Sequence, residues 1–528
     1  MKDKKRFIIA RVFLCVVILL ASLFGCAPNN PSETNDDNKS LADKATDYMY
    51  KNLVPTNSKW RHTYHAQSPV GWTNDPNGFT HHNGKTHLFF QYYPFDPTPG
   101  IRYWGHMTTQ DFVRWDYLPV ALAPDKYYES QAGCWSGTAL TVDDNLYIMY
   151  TGTDSGLQQQ CIARSSDGIN FEKFDNNPVI GIFQVGKNHS YNDFRDPKLI
   201  AKDGRYYALA ATLFENKPTV VMYTSDDLRN WSYVNRVLNC TDVFAPGYFV
   251  FDGMYECPDY VVVDGTELMI LSVLNYPKSG AEFQNIDSCG YIAGSMDFDK
   301  GTFSSSKLVQ LDGGFDFYAA QTCTLPDGRV VLTAWMQNWN RTYPTQESGW
   351  AGSYVLPREL TFVNGRLYQT PVAEIENYRQ NKVSASRTIT NQTARFDGVC
   401  GNAIELNAEL DVSQATTAGI NLFVGKNHKT TLTYNVFDGL LTLDRSNSGV
   451  KIDGVDENMK TRSVSVAPVD GKISLRIFLD KSSVEVFAND GYATMTSLVY
   501  PDEGDIGVEF FCQGSCVVNV AKYDIVVL

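Results

Sequence analysis

The 528-residue sequence lacks any long stretch of helical hydrophobic period, any zinc-ligand spacing and any cysteine framework. Each absence narrows the field. Without a sustained 3.6-residue repeat, a helical bundle or an alternating α/β chain is excluded. Of the 11 cysteines, Cys15 and Cys26 lie at the N-terminus. The others (Cys134, Cys161, Cys240, Cys257, Cys289, Cys323, Cys400, Cys512 and Cys516) are odd in number and share no spacing, so they read as buried thiols, with Cys512 and Cys516 the one candidate pair. His81 and His82 adjoin with no third ligand near; they read as a surface turn, and neither a metal nor any other cofactor is expected. Basic side chains are outnumbered, 45 to 59, for a net charge of −14. Phosphate binding needs clustered Lys and Arg, so a nucleic-acid partner is excluded. Gly (39) and Pro (22) are too few for a collagen-like or low-complexity chain.

Long apolar runs are also missing. The longest, residues 12–24, is too short to span a bilayer easily and fits a signal-peptide core behind Lys2, Lys4, Lys5, Arg6 and Arg11. It ends in Leu23-Phe24-Gly25-Cys26, which resembles the lipobox of bacterial lipoproteins, although Phe24 stands where a small or β-branched residue is usual. On this reading residues 1–25 are removed and Cys26 is the lipidation site. The protein then sits outside the cytoplasm, touching a membrane through its acyl chains alone. Plain secretion is the alternative. Residues 26–58 are polar and Trp-free, a tether.

What is abundant is aromatic: 30 Tyr, 29 Phe and 9 Trp, or 13% of the chain. All nine Trp fall between Trp60 and Trp350, which divides the body in two. Inside the first part a phrase recurs. Thr109-Gln110-Asp111 precedes Trp115, Ser165-Ser166-Asp167 precedes Phe171, and Ser225-Asp226-Asp227 precedes Trp231, with Ser295-Met296-Asp297 before Phe303 a weaker copy. Between the copies lie strand-like runs at 87–93, 146–151, 206–212 and 268–274. A period near sixty with about four strands each predicts a β-propeller, and residues 59–365 have room for five blades. Residues 366–380 read as a linker with a short helix at 372–378. Residues 381–528 read as a β-sandwich, because Ile473, Leu475, Ile477 and Leu479 alternate into a turn and Val484 and Val486 alternate back. The fold class expected is all-β, a five-bladed β-propeller followed by a C-terminal β-sandwich.

Three carboxylates fall in step with the repeat. Asp75, in Trp72-Thr73-Asn74-Asp75-Pro76-Asn77-Gly78, lies 121 residues before Asp196, and Asp196 lies 60 before Glu256. Taken singly, each is as well explained by a turn or an ion pair. The same comb touches Ser136 and Asp316. Equivalent positions of successive blades meet around a propeller axis, so the comb predicts one funnel holding all five. Two carboxyl groups about 5–5.5 Å apart suit retaining glycoside hydrolysis, one attacking and the other exchanging a proton. Trp104, Trp135 and Trp335 are candidates for stacking on a sugar or for excluding water.

At these motifs the sequence resembles glycoside hydrolase family 32, the invertase, inulinase and levanase group, over residues 60–528. Trp135-Ser136-Gly137, Arg195-Asp196-Pro197, Glu256-Cys257-Pro258, Asp316-Phe317-Tyr318-Ala319, Leu356-Pro357-Arg358-Glu359-Leu360 and Ser483-Val484-Glu485-Val486-Phe487 follow in the family's order. The resemblance implies cleavage of β-fructofuranosyl bonds in sucrose or a fructan. It implies Asp75 as nucleophile, Glu256 as acid/base and Asp196 as transition-state stabiliser with Arg195 beside it, and it places Asn74, Gln91, Trp104, Trp135, Ser136 and Trp335 at the substrate; the comb adds Asp316 to the substrate-binding residues expected. Thr73 stands where Met is common, and Tyr93 where Asn is usual; both are expected to alter the pocket wall. A fructosyltransferase or an endo-acting levanase would share the scaffold, and a non-catalytic sugar-binding lipoprotein would keep the pocket.

Overall fold

Gly, Asn and Asp at left-handed backbone positions close one tight hairpin after another along this chain, and the strands between them assemble into antiparallel sheets. The computed structural model describes residues 38–181, 184–239, 253–305, 307–456 and 458–527. Cys26, the apolar run at 12–24 and Cys240 lie outside the described residues. Among the described residues no helix is long and apolar enough to cross a membrane.

Five successive sheets stand as blades around one axis. Their innermost strands are Gly71–His82, Gly133–Val142, His189–Lys202, Tyr255–Val263 and Tyr318–Thr324, and each lies against the inner strands on either side. The ring is closed late in the chain, where Trp350–Ala351 pairs in parallel with Gly71 and Trp72 of the first blade. The recurring phrase is a turn between the third and fourth strands of a blade. Asp111, Asp167 and Asp227 each accept two backbone N–H groups just downstream, while Thr109, Ser165 and Ser225 each accept one from the Asp. The residue after each Asp, namely Phe112, Gly168 or Leu228, takes a positive φ.

The second part is one ten-stranded sheet folded on itself into two layers. Ala403–Val424 belongs to both: residues 403–411 pair with Lys472–Asp480, and residues 417–422 pair with Thr430–Asn435. Register shifts near residues 411–417 make the corner. Leu406, Ile420, Leu432, Ile477, Val486 and Phe510 fill the core between the layers. The hairpin read from alternation is present, with Asp480 opposite Ser483.

The two parts are joined by buried charge. Arg358 donates to Asp312 (3.0 Å) and Glu485 (2.7 Å), all three without exposed surface. His65 sits between Asp480 and Glu485, 2.8 Å from each. The two motifs around Arg358 and Glu485 are thus one interface.

Several boundaries and placements differ from the sequence reading. Residues 26–58 are not wholly a tether: Leu41–Lys51 is an α-helix, started by a capping box between Ser40 and Asp43. Leu41, Ala45 and Met49 recur every fourth residue, and Ala45 and Met49 are buried against the first blade; the polar composition hid that stripe. The fifth blade runs past residue 365, because Arg366–Pro371 is its outer strand. The short helix is a 3-10 turn, Ala373–Tyr378, and the sandwich begins with Arg379–Thr390. His82 is buried beneath the Asn83–Gly84 turn rather than exposed in it. Among the described residues every cysteine is a free thiol, Cys512 and Cys516 included, and Cys400 is the exposed one.

Candidate active site

All five inner strands carry a register shift near their mouth-side end. The shifts fall between Thr73 and Pro76, Trp135 and Gly137, Arg195 and Lys198, Glu256 and Asp259, and Tyr318 and Gln321. A bulge adds a residue to one strand and re-aims its side chains. Here it turns what would be blade-packing positions towards the axis. Asp196 and Cys257 take positive φ at their bulges, as does Ala319.

The register also revises the sixty-residue comb. By strand pairing, Asp196 corresponds to Cys257 and Ala319, while Arg195 corresponds to Glu256 and Tyr318. The carboxylates therefore occupy neighbouring rather than identical bulge positions. They still converge. Ser136 donates to Asp75 Oδ2 at 2.6 Å. The Cys257 thiol lies 3.7 Å from Asp75 Oδ2 and 3.7 Å from Asp196 Oδ2, so those oxygens are at most twice that distance apart. The Cys257 N–H donates to the same Asp196 oxygen at 3.0 Å. Glu256, one residue along, accepts from Arg195 through Oε1 (2.9 and 3.1 Å) and from the Tyr318 hydroxyl through Oε2 (2.6 Å).

Burial dominates the electrostatics. It raises the Asp75 pKa above the ordinary carboxylate range; the Ser136 hydrogen bond pulls it back, and the Glu256 charge pushes it up again. Burial and then Glu256 push Asp196 up to about 7, against the pull of Arg195. Asp75 Oδ1 is buried with no well-formed hydrogen bond. Arg102 puts a positive charge near Asp75. Its backbone is spliced to Ala132 and Cys134 of the second blade, and a Cβ on Gly133 would lie 2.2 Å from its carbonyl.

The other expected residues divide. Trp135 and Arg195 line the funnel, Arg195 lying over the Trp135 ring at 6.0 Å. Asn74 and Gln91 show only their edges, held by Trp72 Nε1 and the Cys134 carbonyl. Trp104 and Trp335 have no exposed surface. Trp104 packs on Phe89 and Tyr150, and Trp335 on Trp72 and Trp339; they back the wall and do not form it. Asp316 does not reach the funnel. It is fully buried, with Arg341 (2.9 Å), Arg445 (2.8 Å), Tyr343 (3.2 Å) and the Leu498 N–H (2.8 Å) taking both oxygens. Its place on the comb was a coincidence of spacing. Thr73 is likewise behind the wall, its hydroxyl on the Gln91 carbonyl.

Sequence reasoning passed over Arg102, Cys257, Tyr318 and Asp287. Asp287, buried beside Glu256 and raised to about 6 by burial and by that charge, carries no motif of its own. Tyr318 was visible as the residue two beyond Asp316.

Known proteins resemble this chain over most of its length. The family model described as Glycosyl hydrolases family 32 N-terminal domain matches residues 65–371, and the one described as Glycosyl hydrolases family 32 C terminal matches residues 374–526. A sucrose-6-phosphate hydrolase of Zymomonas mobilis is 32% identical over 507 residues, covering 90% of this chain and 96% of its own. A levanase of Bacillus subtilis is 34% identical over 494 residues, 87% of this chain and 69% of the levanase. The structure of a Bombyx mori β-fructofuranosidase mutant in complex with sucrose superposes with a TM-score of 0.77 at 30% identity, covering 93% of this chain and 99% of that one.

Proposed function

The chain belongs to glycosyl hydrolase family 32 and is a hydrolase of β-fructofuranosyl linkages, and on that footing we propose that it works by double displacement through Asp75, Glu256 and Asp196. One observation carries the reading. Three carboxylates from the first, third and fourth inner strands meet in one buried funnel, two of them against the same thiol.

The anomeric C2 of a fructosyl unit is tertiary, so its transition state takes on oxocarbenium character and positive charge. Asp75, placed with one oxygen anchored by Ser136 and the other without a well-formed hydrogen bond, attacks C2 as the bond to the leaving oxygen breaks. Glu256 gives its proton to that oxygen. Asp196 accepts hydrogen bonds from the sugar hydroxyls and stabilises the developing charge, fixed in place by the Cys257 N–H. Water then enters, Glu256 takes its proton, and hydroxide attacks C2 to release fructose from Asp75.

The substrates proposed are sucrose and an uncharged fructan, the compounds named for the silkworm complex and, in the second case, implied by the levanase's name. Full-length chain in detergent, incubated with sucrose, inulin and levan, tests this by chromatography of the products. Fructose as sole small product supports exo-hydrolysis; a ladder redirects the reading to endo-cleavage, and lengthened oligosaccharides to transfer. Equal products from the Asp75→Asn variant would overturn it.

We also propose that Cys26 is acylated and holds the enzyme outside the cytoplasm; the support is the charged, apolar and Leu-Phe-Gly-Cys succession of residues 2–26. Radiolabelled palmitate should enter the protein, and Cys26→Ala should abolish the label. Unchanged labelling of the variant would sink the idea.

A further inference from the structure

The N-terminal helix Leu41–Lys51 lies before residue 65, where the family match begins. It is not merely attached to the first blade. Beside it opens a cavity of about 340 Å³, walled by Tyr48, Leu53, Gly71, Phe95, Pro97 and Gly349 among others. That volume falls within the range of small-ligand sites.

Its position follows from the strands. Gly71 begins the inner strand that carries Asp75 four residues later, about 13 Å away at ~3.3 Å per residue. Phe95 and Pro97 follow the strand Lys85–Tyr93 that carries Gln91. Gly349 accepts the Gly71 N–H at 2.9 Å and leads into the ring-closing strand Trp350–Ala351. All three loops are thus at the funnel end of the first blade. Between funnel and cavity runs an aromatic path. Arg102, near Asp75, donates to the Gly100 carbonyl, and the Tyr93 ring lies against Gly100. Tyr93 stands 5.7 Å from Phe95, and Phe95 stands 5.0 Å from Tyr48 of the helix. Phe95 and Leu53 are each about 40% exposed, at 38% and 41%.

The chemistry selects the occupant. Asp96 is the one charged side chain in the lining, and one of its carboxylate oxygens, Oδ1, accepts from the Thr98 N–H at 2.9 Å and from the Thr98 hydroxyl. Aromatic faces beside backbone carbonyls and an Asn amide suit a neutral polyhydroxylated chain and offer nothing to an anion.

We propose that this cavity is a binding site for the distal units of a fructan whose terminal fructosyl group sits at Asp75, with Phe95 and Tyr48 as its stacking surface and the N-terminal helix as its outer wall. The proposal rests on the fructan-hydrolase reading above. The cavity's Gly71 edge lies about 13 Å along the strand from Asp75, so the site sets preference for chain length and not the chemistry.

The test is the ratio of kcat/KM for levan or inulin chains of about ten units to kcat/KM for sucrose, measured on the full-length chain in detergent. Phe95→Ala and Tyr48→Ala should lower that ratio about three- to ten-fold, through KM. Phe95→Tyr should restore it. Leu53→Trp, which adds bulk at an exposed wall position, should lower the ratio without removing any packed side chain. A ratio unchanged in all three disruptive variants, including the case in which kcat falls equally on both substrates, overturns the site. Failure of the unmodified chain to cleave sucrose or fructan would instead overturn the function on which it rests.

Discussion

Arg195 holds one oxygen of Glu256 with two nitrogens, Nη2 at 2.9 Å and Nε at 3.1 Å, both on Oε1. Oε2 is left to the Tyr318 hydroxyl. The two carboxylate oxygens therefore differ, and the side chain is aimed by a fork that a lysine cannot reproduce. Arg195→Lys should lower kcat on sucrose by about 10- to 100-fold with a smaller change in KM, and Tyr318→Phe should lower it by about tenfold, the worth of one charge-assisted hydrogen bond. Steady-state kinetics at one pH resolve both; a Lys variant with native kcat would show that the fork does not position Glu256.

Removing the attacking oxygen is a larger change. Asp75→Asn should reduce kcat by about 10⁴-fold or more, and Asp196→Asn by about 10²- to 10³-fold, since the first forms the covalent bond and the second stabilises charge across space. Reducing-sugar release from sucrose measures each. Loss at Asp196 exceeding that at Asp75 would exchange their roles.

Ser136 offers a test with a sign. Its hydroxyl bonds the charged form of Asp75 and lowers a pKa that burial raises. Asp75 must be ionised to attack, so activity is lost as pH falls through its pKa. Ser136→Ala removes the lowering contact, and the acid limb of kcat/KM should move to higher pH. A pH profile with an unmoved acid limb would show that the limb belongs to another group.

The buried Asp480–His65–Glu485 cluster predicts how stability responds to pH. His65 is raised from 6.5 to about 9 by its two carboxylate hydrogen bonds, against burial. Its contribution is complete below about pH 6.5 and fades as pH rises through about 9. Burial works to raise Asp480, but the His65 hydrogen bond and charge hold it down to about 2, so its contribution is present above the ordinary value of 3.8 and is lost only as pH falls through about 2. The contribution of His65 and Asp480 is therefore greatest between about pH 4 and 6.5 and declines towards pH 9 by on the order of 3 kcal/mol. His62, held down to about 3 by burial, works against it below pH 6.5, so melts should show the decline on the alkaline side. His65→Gln should flatten that decline while lowering the whole curve by about 3–5 kcal/mol, because two carboxylates lose their cation. A decline of equal slope in the variant would place its origin elsewhere.

Much of this was legible in residues. The Asp turns at 111, 167 and 227 announce the blades because a turn needs its Asp at the same place each time. The carboxylates at 75, 196 and 256 announce the funnel because blades repeat. What was not legible is what a bulge does: one inserted residue shifts which side chain faces the axis, so Asp196 corresponds to Cys257 and not to Glu256. Spacing alone cannot register a one-residue insertion, and it drew Asp316 into a site that Tyr318 occupies instead. Trp104 and Trp335 misled for a different reason. A large aromatic beside a sugar and one behind the wall have the same sequence, and burial separates them only in three dimensions.

The parallel pairing of Gly71 and Trp72 with Trp350 and Ala351 also sets an order of events during synthesis. Until residue 351 has left the ribosome, the first blade has an unpaired strand edge, and His65 and Tyr64 wait longer still for Asp480. At about 5–20 residues per second that edge stays open for roughly 14–56 s, a span in which a sticky strand can find the wrong partner. Asp75 lies on that strand, so the attacking group is made among the first residues of the fold and is positioned among the last.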